Sequence, residues 1–414
     1  MAVASSASWY PVLQLRKQRH AISALLQRDA ASAAWQTGAA SHRTVSDKLH
    51  VHIGATVEIS GSYRYCWFPT VHMFSTGELL VTMRMSPDET NPEGEFSAFS
   101  VSHDHGRTWS RRYTLGAGAN VDAAYSQAVG ANIWVLGSGY DTAEPYPPGQ
   151  RKQFHIVLSR FWRGGMALSQ ERDAVLELAR SAGSEPARLY DLGRKEASRI
   201  GSDLPVVNPW GDILADRSGN WLATVYYKTG PDPRSTRLVL VRSTDRGMTW
   251  REVSVIAKDE FHGKPLGWMG GEGPSEAGMV RLADGRLYVV FRTGGYLGET
   301  WSQDDGATWN SPVNLHIKGV APRIRRLACG ALACTFGRPG PVSIMFSADG
   351  TGRNWSHITR IFDGMSTRYT GLAEIAPGKL FVVYDSVPYG WGRIPPIDKA
   401  AKNAILGTFV SVWK

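Results

Sequence analysis

A phrase of the form Ser-x-Asp-x-Gly-x-Thr-Trp recurs along this chain and constrains its fold more than any other feature. Three complete copies begin at Ser102, Ser243 and Ser302, and a looser fourth copy begins at Ser347 with one extra residue before its Trp. Ser and Asp side chains hydrogen-bond nearby backbone groups in turns, and Gly supplies a backbone position with positive φ. A Trp after such a turn packs back onto it. The phrase therefore predicts a repeated unit of strand, tight turn and aromatic plug.

The spacing of the phrase indicates how these units are arranged. The last two intervals, from 243 to 302 and from 302 to 347, span 59 and 45 residues. A unit of about 40–50 residues is the length of one four-stranded propeller blade. Hairpins with a Gly turn also recur along the chain, at 69–81, 213–225, 278–290 and 372–383. We therefore expect an all-β fold, a six-bladed β-propeller, with seven blades as the alternative.

The remaining segments set the expected domain limits. Residues 1–48 are rich in Ala, Ser, Arg and Gln and are expected to form a helical or poorly ordered N-terminal extension. Residues 49–414 are expected to form a single propeller domain, with a helical or irregular insertion near 170–196. The segments at 50–58 and 405–413 both alternate as strands do, and either can complete a blade that begins at the other end of the chain.

Composition narrows the classes of partner. The net charge is +9, but the basic residues are scattered and form no zinc-finger or RNA-binding signature. An anionic small substrate accounts for the basic excess as well as a nucleic acid does. Because the signatures of nucleic-acid binding are missing, we expect no nucleic acid partner. No apolar stretch reaches the roughly 18 residues that suggest a membrane span. The Cys and His residues lack the spacing of metal ligands, so no metal is expected.

The repeated phrase resembles the Asp-box, or BNR repeat, of the sialidase (neuraminidase) superfamily, and further residues follow that family's order. Glu276 opens a hairpin that ends at Arg292, as the family's base-like Glu precedes a substrate-binding Arg. Arg338 precedes the fourth Asp-box, where the family has another such Arg. Tyr369 matches the nucleophilic Tyr, and Asp385 stands where the family has a closing Glu. The resemblance runs from about 60 to 392 and is strongest after 240.

The resemblance implies a retaining glycosidase, similar to exo-α-sialidases, that cleaves a terminal carboxylate-bearing sugar from an acidic glycan or glycoconjugate. Arg292 and Arg338 would hold the substrate carboxylate, because guanidinium groups bind carboxylates bidentately. Tyr369 would attack the sugar and Glu276 would activate it, since a neutral phenol avoids the repulsion that a carboxylate nucleophile would meet. The resemblance implies no metal and no organic cofactor.

The chain departs from the family pattern in its first predicted blade. An Arg-Ile-Pro motif is usual there, but this chain reads Trp67-Phe-Pro69, so the family's first Arg is missing. Arg64 lies nearby but out of register, and we count Arg64, Trp67 and Asp385 among the candidate substrate-binding residues. The candidate acid/base is Asp88, with three competing carboxylates at Glu89, Glu93 and Glu95.

Two other functions remain open at this point. The missing Arg favours a propeller polysaccharide lyase or hydrolase that acts on uronate-containing glycans, in which a Tyr or His abstracts a proton and an Arg neutralises the carboxylate. A propeller that only binds a glycan or a protein would retain Asp-boxes for folding alone.

Overall fold

The fold is seen in a computed structural model of the chain. The model describes residues 41–46, 49–62, 65–86, 96–114, 125–129, 132–140, 154–162, 168–180, 188–191, 207–228, 232–261, 263–390 and 402–414. Regular structure in these segments is β-strand, apart from one 3₁₀ helix at Pro233–Ser235. The described segments contain no helix with the length and apolar character needed to cross a bilayer.

The strands are short and joined mostly by tight turns. The first eleven are β1 (Ser41–Ser46), β2 (Leu49–Ser62), β3 (Tyr65–Met73), β4 (Leu79–Ser86), β5 (Phe96–Ser102), β6 (Tyr113–Thr114), β7 (Tyr125–Val129), β8 (Asn132–Tyr140), β9 (Phe154–Trp162), β10 (Leu168–Arg180) and β11 (Arg188–Asp191). The next six are β12 (Val207–Ala215), β13 (Trp221–Lys228), β14 (Thr236–Ser243), β15 (Thr249–Ala257), β16 (Glu260–Phe261) and β17 (Lys264–Pro265). The last eleven are β18 (Ser275–Arg281), β19 (Leu287–Arg292), β20 (Tyr296–Ser302), β21 (Val313–Lys318), β22 (Val320–Arg326), β23 (Leu332–Gly337), β24 (Val342–Ser347), β25 (Ser356–Phe362), β26 (Thr370–Ala376), β27 (Lys379–Ser386) and β28 (Asn403–Trp413).

The strands form a propeller with five blades, rather than the six or seven predicted. Among the described residues, hydrogen bonding gives five sheets of four or more strands, and β16 and β17 form a separate pair. The predicted second and third blades are joined, because β10 pairs with β15 in parallel over Val175–Glu177 and Thr249–Arg251. The resulting nine-stranded sheet has β7 at one end and β12 at the other. These two end strands contact each other, so the wide sheet folds back on itself.

The inner strands contact one another in sequence, and the last blade closes the ring. Strands β12, β18, β22, β26 and β3 follow one another through lateral contacts, and β3 also contacts β7. In the last blade, β28 lies between β2 and β27, so strands from both ends of the described chain share one sheet. The prediction that one end of the chain completes a blade begun at the other is confirmed.

The Asp-box turns have the local structure that their residue types predict. In the first copy, Asp104 Oδ1 accepts hydrogen bonds from Ser102 Oγ and Thr108 N, each 2.8 Å long. Ser102 Oγ accepts from Gly106 N at 2.7 Å, and Gly106 has φ +90°. Trp109 Nε1 donates to Gly106 O at 3.1 Å. The Asp side chain of the turn therefore has a structural role, since its hydrogen bonds stay within the turn.

Two predictions about the less regular segments are wrong where the structure can be compared with them. Residues 1–40 lie outside the described residues, but Ser41–Ser46 at the end of the predicted extension form β1, so a helical extension is not supported. The predicted helical or irregular insertion at 170–196 contains β10 and β11 instead. Its Ala- and Glu-rich composition suits a helix, but pairing of β10 with β9, β11 and β15 overrides that local preference.

Candidate active site

Four inner strands carry a bulge, and two of these bulges contain residues of the candidate site. Register breaks occur in β3, β12, β18 and β22. Each break contains a residue with positive φ, namely Phe68 (+50°), Gly211 (+93°), Glu276 (+45°) and Ala321 (+48°). Bulges redirect side chains and are common beside active sites. Here they turn Phe68 and Glu276 toward Tyr369, which immediately precedes β26.

Tyr369, Glu276 and Arg292 form one connected polar group. The Tyr369 hydroxyl donates to Glu276 Oε1 at 2.5 Å. Arg292 Nη1 donates to the same carboxylate oxygen at 2.8 Å and to the Tyr369 hydroxyl oxygen at 3.3 Å. The other oxygen, Glu276 Oε2, accepts from Ala321 N at 3.1 Å. The Glu276 carboxylate is therefore held at both oxygens, and one of them accepts the hydrogen bond of the phenol.

Burial and charge set the protonation of this group. Burial raises the pKa of Tyr369 well above its ordinary value, and the Glu276 carboxylate raises it further while Arg292 opposes the rise. Tyr369 is therefore a neutral phenol at neutral pH. Burial alone would lower the pKa of Arg292, but Glu276, Tyr369 and Glu272 outweigh it and the pKa is raised. Arg292 is thus a permanent cation beside the phenol.

Two further arginines lie near Tyr369. The Arg338 guanidinium carbon lies 5.7 Å from the centroid of the Tyr369 ring, and Arg338 Nη2 donates to Thr367 O at 3.0 Å. Arg368 donates to Phe362 O at 3.3 Å, and burial lowers its pKa, with the nearby Arg338 acting in the same direction. This concentration of cationic groups favours an anionic ligand.

Aromatic side chains form the rest of the wall around Tyr369. The Phe68 ring lies 4.5 Å from the Tyr369 ring in a tilted arrangement, and the Trp210 ring lies 5.5 Å away, edge to face. Arg323, which is buried, lies 5.0 Å above the Trp210 ring. An apolar wall with a few convergent polar groups is typical of a small-ligand site.

The predicted site residues divide into three groups by position. The structure brings together four of them: Glu276 and Arg292 lie on the paired strands β18 and β19 of one blade, Arg338 directly follows β23, and Tyr369 directly precedes β26. Asp385 and Trp67 are instead buried, at 0% and 2% exposure, so their side chains lie behind the site surface. Arg64 and the candidate acid/bases Asp88, Glu89, Glu93 and Glu95 lie outside the described residues.

Asp385 holds the backbone around the site instead of facing the ligand space. Its oxygens accept hydrogen bonds from Phe68 N at 3.1 Å, Ser366 Oγ at 2.9 Å and Thr367 N at 2.7 Å, and also from Thr367 Oγ1. Four donors on one buried carboxylate explain why an acidic residue is tolerated there. The first-blade residue that reaches Tyr369 is Phe68, next to the predicted Trp67.

Sequence reasoning missed several residues that line or support the site. These are Phe68, Trp210, Glu272, Arg323 and Arg368. Only Arg368 had a usable signal, since it directly precedes Tyr369. The described residues contain no cluster of three or more His, Cys, Asp or Glu suited to a metal ion. The hydrogen bonds of the site join a neutral phenol to a carboxylate that can accept its proton, beside guanidinium groups that can bind an anion.

Comparison with known proteins agrees with this geometry at the level of fold and repeat. A family model described as a BNR repeat-like domain matches residues 195–382, which include Glu276, Arg292, Arg338 and Tyr369. A search of curated proteins finds no match.

Solved structures similar to this chain include proteins with and without a named activity. A Dyadobacter fermentans protein of unknown function has a TM-score of 0.65 at 18% identity, over 87% of this chain and 99% of that one. Trypanosoma rangeli sialidase, in complex with the inhibitor DANA, has a TM-score of 0.54 at 12% identity, over 91% of this chain and 60% of that one. Penicillium chrysogenum α-L-arabinanase, in complex with arabinobiose, has a TM-score of 0.54 at 14% identity, over 91% and 98%. The chain thus has the propeller fold of these structures, and its residues 195–382 match the BNR repeat-like domain.

Proposed function

We propose that this protein is a retaining glycoside hydrolase that cleaves a terminal, carboxylate-bearing sugar from a glycan. The observation that carries the proposal is the 2.5 Å hydrogen bond from the Tyr369 hydroxyl to Glu276 Oε1, made beside the cation Arg292. A neutral phenol, a fixed proton acceptor and nearby guanidiniums are the groups that a nucleophilic displacement on an anionic sugar requires.

The proposed reaction has two displacements. Arg292 and Arg338 bind the sugar carboxylate, and the Tyr369 oxygen attacks the anomeric carbon while its proton passes to Glu276. The bond to the leaving oxygen breaks, and that oxygen takes a proton from the acid, for which Asp88 is our candidate. Water then attacks the anomeric carbon and gives its proton to Asp88, while Tyr369 leaves and recovers its proton from Glu276. Two inversions give net retention.

The proposal is tested by fluorophore release from a 4-methylumbelliferyl sialoside. We expect the wild-type protein to release the fluorophore and Tyr369→Phe to lose activity on the order of 10³-fold or more. Tyr384→Phe is the matched control, because Tyr384 is also buried and its hydroxyl bonds Thr408 Oγ1 away from the site. Activity that persists in Tyr369→Phe would exclude the phenol as the nucleophile.

A second candidate is a hydrolase of neutral arabinofuranosides. Similar propellers bear the names α-L-arabinanase and α-L-arabinofuranosidase. The observation that favours this candidate is the ion pair of Arg292 Nη2 with Glu272 at 2.6 Å, which already neutralises one guanidinium of the site. Release of nitrophenol from a 4-nitrophenyl α-L-arabinofuranoside, with no release from the sialoside, would favour this candidate over the first.

A further inference from the structure

Glu272 lies at the edge of the candidate site and contacts the arginine that the proposed mechanism assigns to the substrate. Its Oε2 is 2.6 Å from Arg292 Nη2. The other terminal nitrogen, Nη1, is already engaged with Glu276 and Tyr369. Nε is buried without a hydrogen-bond partner among the described residues. Nη2 is therefore the nitrogen on which a ligand oxygen and Glu272 compete.

The backbone around Glu272 is shaped to hold this side chain in place. Thr236 Oγ1 donates to Glu272 O at 2.9 Å, which anchors the loop. The side chain crosses Gly294, where φ is +79° and where a Cβ would lie 2.7 Å from Glu272 Cγ. Any other residue at this position would collide with the crossing side chain. The loop thus places the side chain of Glu272 close to Arg292.

The same contact is easily broken. The Glu272 side chain is 49% exposed, whereas the Glu276 side chain is 6% exposed. Arg292 itself is only 13% exposed, but water solvates the Glu272 carboxylate when the pair separates, so this ion pair costs less to break than the buried pair of Arg292 with Glu276. The Glu272 side chain can leave Arg292 by rotating about its own torsions toward solvent while its backbone stays anchored.

We propose that Glu272 is a resident carboxylate that occupies Arg292 in the free protein and that a ligand carboxylate must displace. This inference rests on the proposed function, since it assumes that Arg292 receives a carboxylate. Glu272 then determines specificity by charge. The apparent affinity for a carboxylate-bearing sugar scales with the fraction of molecules in which Glu272 does not cover Arg292. The affinity for neutral sugars is unchanged.

The test compares one charged ligand with its neutral analogue. N-acetylneuraminic acid and its methyl ester are titrated by calorimetry into wild-type protein, Glu272→Gln and Glu272→Ala. Both variants should bind the acid about 5-fold more tightly than wild type. Binding of the methyl ester should stay within about 2-fold of wild type.

Glu58→Gln is the matched control. Glu58 is 45% exposed and its Oε1 is 2.7 Å from Lys402 Nζ, so this variant also breaks an exposed ion pair. It should bind both ligands as wild type does. Unchanged acid binding in the Glu272 variants, or weaker binding of acid and ester together, would overturn the inference.

The proposed function has a separate readout. If neither the wild-type protein nor the Glu272 variants release fluorophore from the sialoside, the proposed hydrolase function is wrong. Tighter binding of the acid alone in the Glu272 variants would still support the displacement at Arg292.

Discussion

Asp385 Oδ2 accepts a hydrogen bond of 3.1 Å from Phe68 N, which lies 317 positions earlier in the chain. Oδ1 of the same carboxylate accepts from Thr367 N at 2.7 Å, two residues before Tyr369. One buried side chain therefore ties the bulge of β3 to the segment that presents Tyr369. This bond keeps the Phe68 ring against the Tyr369 ring.

Asp385→Asn is expected to destabilise the protein and to misplace Tyr369. The amide of Asn has an NH₂ group where the carboxylate has an oxygen, and this group cannot accept hydrogen bonds from the surrounding donors. Buried donors are then left unpaired, which lowers the free energy of unfolding by about 1–3 kcal/mol. Urea unfolding and turnover of the sialoside measure the two effects. Asp363→Asn is the control, because its side chain is 70% exposed. Equal behaviour of the two variants would contradict a positioning role for Asp385.

Arg338→Met tests the cation above the Tyr369 ring. We expect KM for the sialoside to rise about 10-fold, since charge-assisted hydrogen bonds to a carboxylate would be lost. The affinity for the methyl ester of the sugar should change little. Arg360→Met, at an exposed position, serves as the control. If acid and ester weaken equally, Arg338 does not recognise the carboxylate.

The order of residues along the chain allowed part of the site to be predicted. Glu276 and Arg292 lie near the two ends of one hairpin, and Tyr369 immediately precedes the inner strand β26, so an arrangement of inner strands around one axis predicts that these residues meet. Phe68, Trp210 and Glu272 could not be found in this way. Phe68 and Trp210 reach Tyr369 through strand bulges and packing between sheets, and Glu272 reaches Arg292 from a loop that crosses Gly294. None of these contacts leaves a local pattern.

The blade count failed for a related reason. Repeat spacing identifies units of a blade's length, but the parallel pairing of Leu176 with Trp250 joins two units into one sheet. This pairing depends on residues 74 positions apart and follows no turn signal. The composition of residues 170–196 likewise indicates a helical or irregular segment instead of the strand β10, because Ala, Glu and Arg favour helices when tertiary pairing is ignored.

His72 is expected to make the protein sensitive to acid. Burial, and then the charges of Arg323 and Arg325, lower the pKa of His72 to about 3. Both ring nitrogens are buried without a hydrogen-bond partner among the described residues. The unfolded chain binds a proton near pH 6.5 and the folded chain does not, so stability falls as pH drops from about 6.5 toward 3.

Between pH 7.5 and pH 5 this effect amounts to about 2 kcal/mol. His72→Leu should remove that part of the pH dependence, whereas His103→Leu, at an exposed position, should leave it unchanged. Urea unfolding at both pH values measures the difference. An unaltered pH dependence in His72→Leu would show that other groups cause the acid sensitivity.

Asp304→Ala should weaken the fold without affecting catalysis. Asp304 accepts hydrogen bonds from Thr308 Oγ1 at 2.6 Å, Ser302 Oγ at 2.7 Å and Thr308 N at 2.9 Å, and these bonds lower its pKa to about 2. We expect a loss of about 1–2 kcal/mol in the free energy of unfolding, with kcat unchanged at temperatures where the protein is folded. A fall in kcat for the folded variant would contradict a purely structural role of the turn.

We propose that the Tyr369 oxygen forms a covalent bond with the sugar during the reaction. Incubation with a 2,3-difluoro sialic acid, which slows hydrolysis of the glycosyl intermediate, followed by peptide mass spectrometry, tests this bond directly. We expect one glycosyl adduct, on the peptide that contains Tyr369, and no such adduct in Tyr369→Phe. An adduct on another residue, or turnover of the sialoside without any adduct, would show that Tyr369 is not the nucleophile.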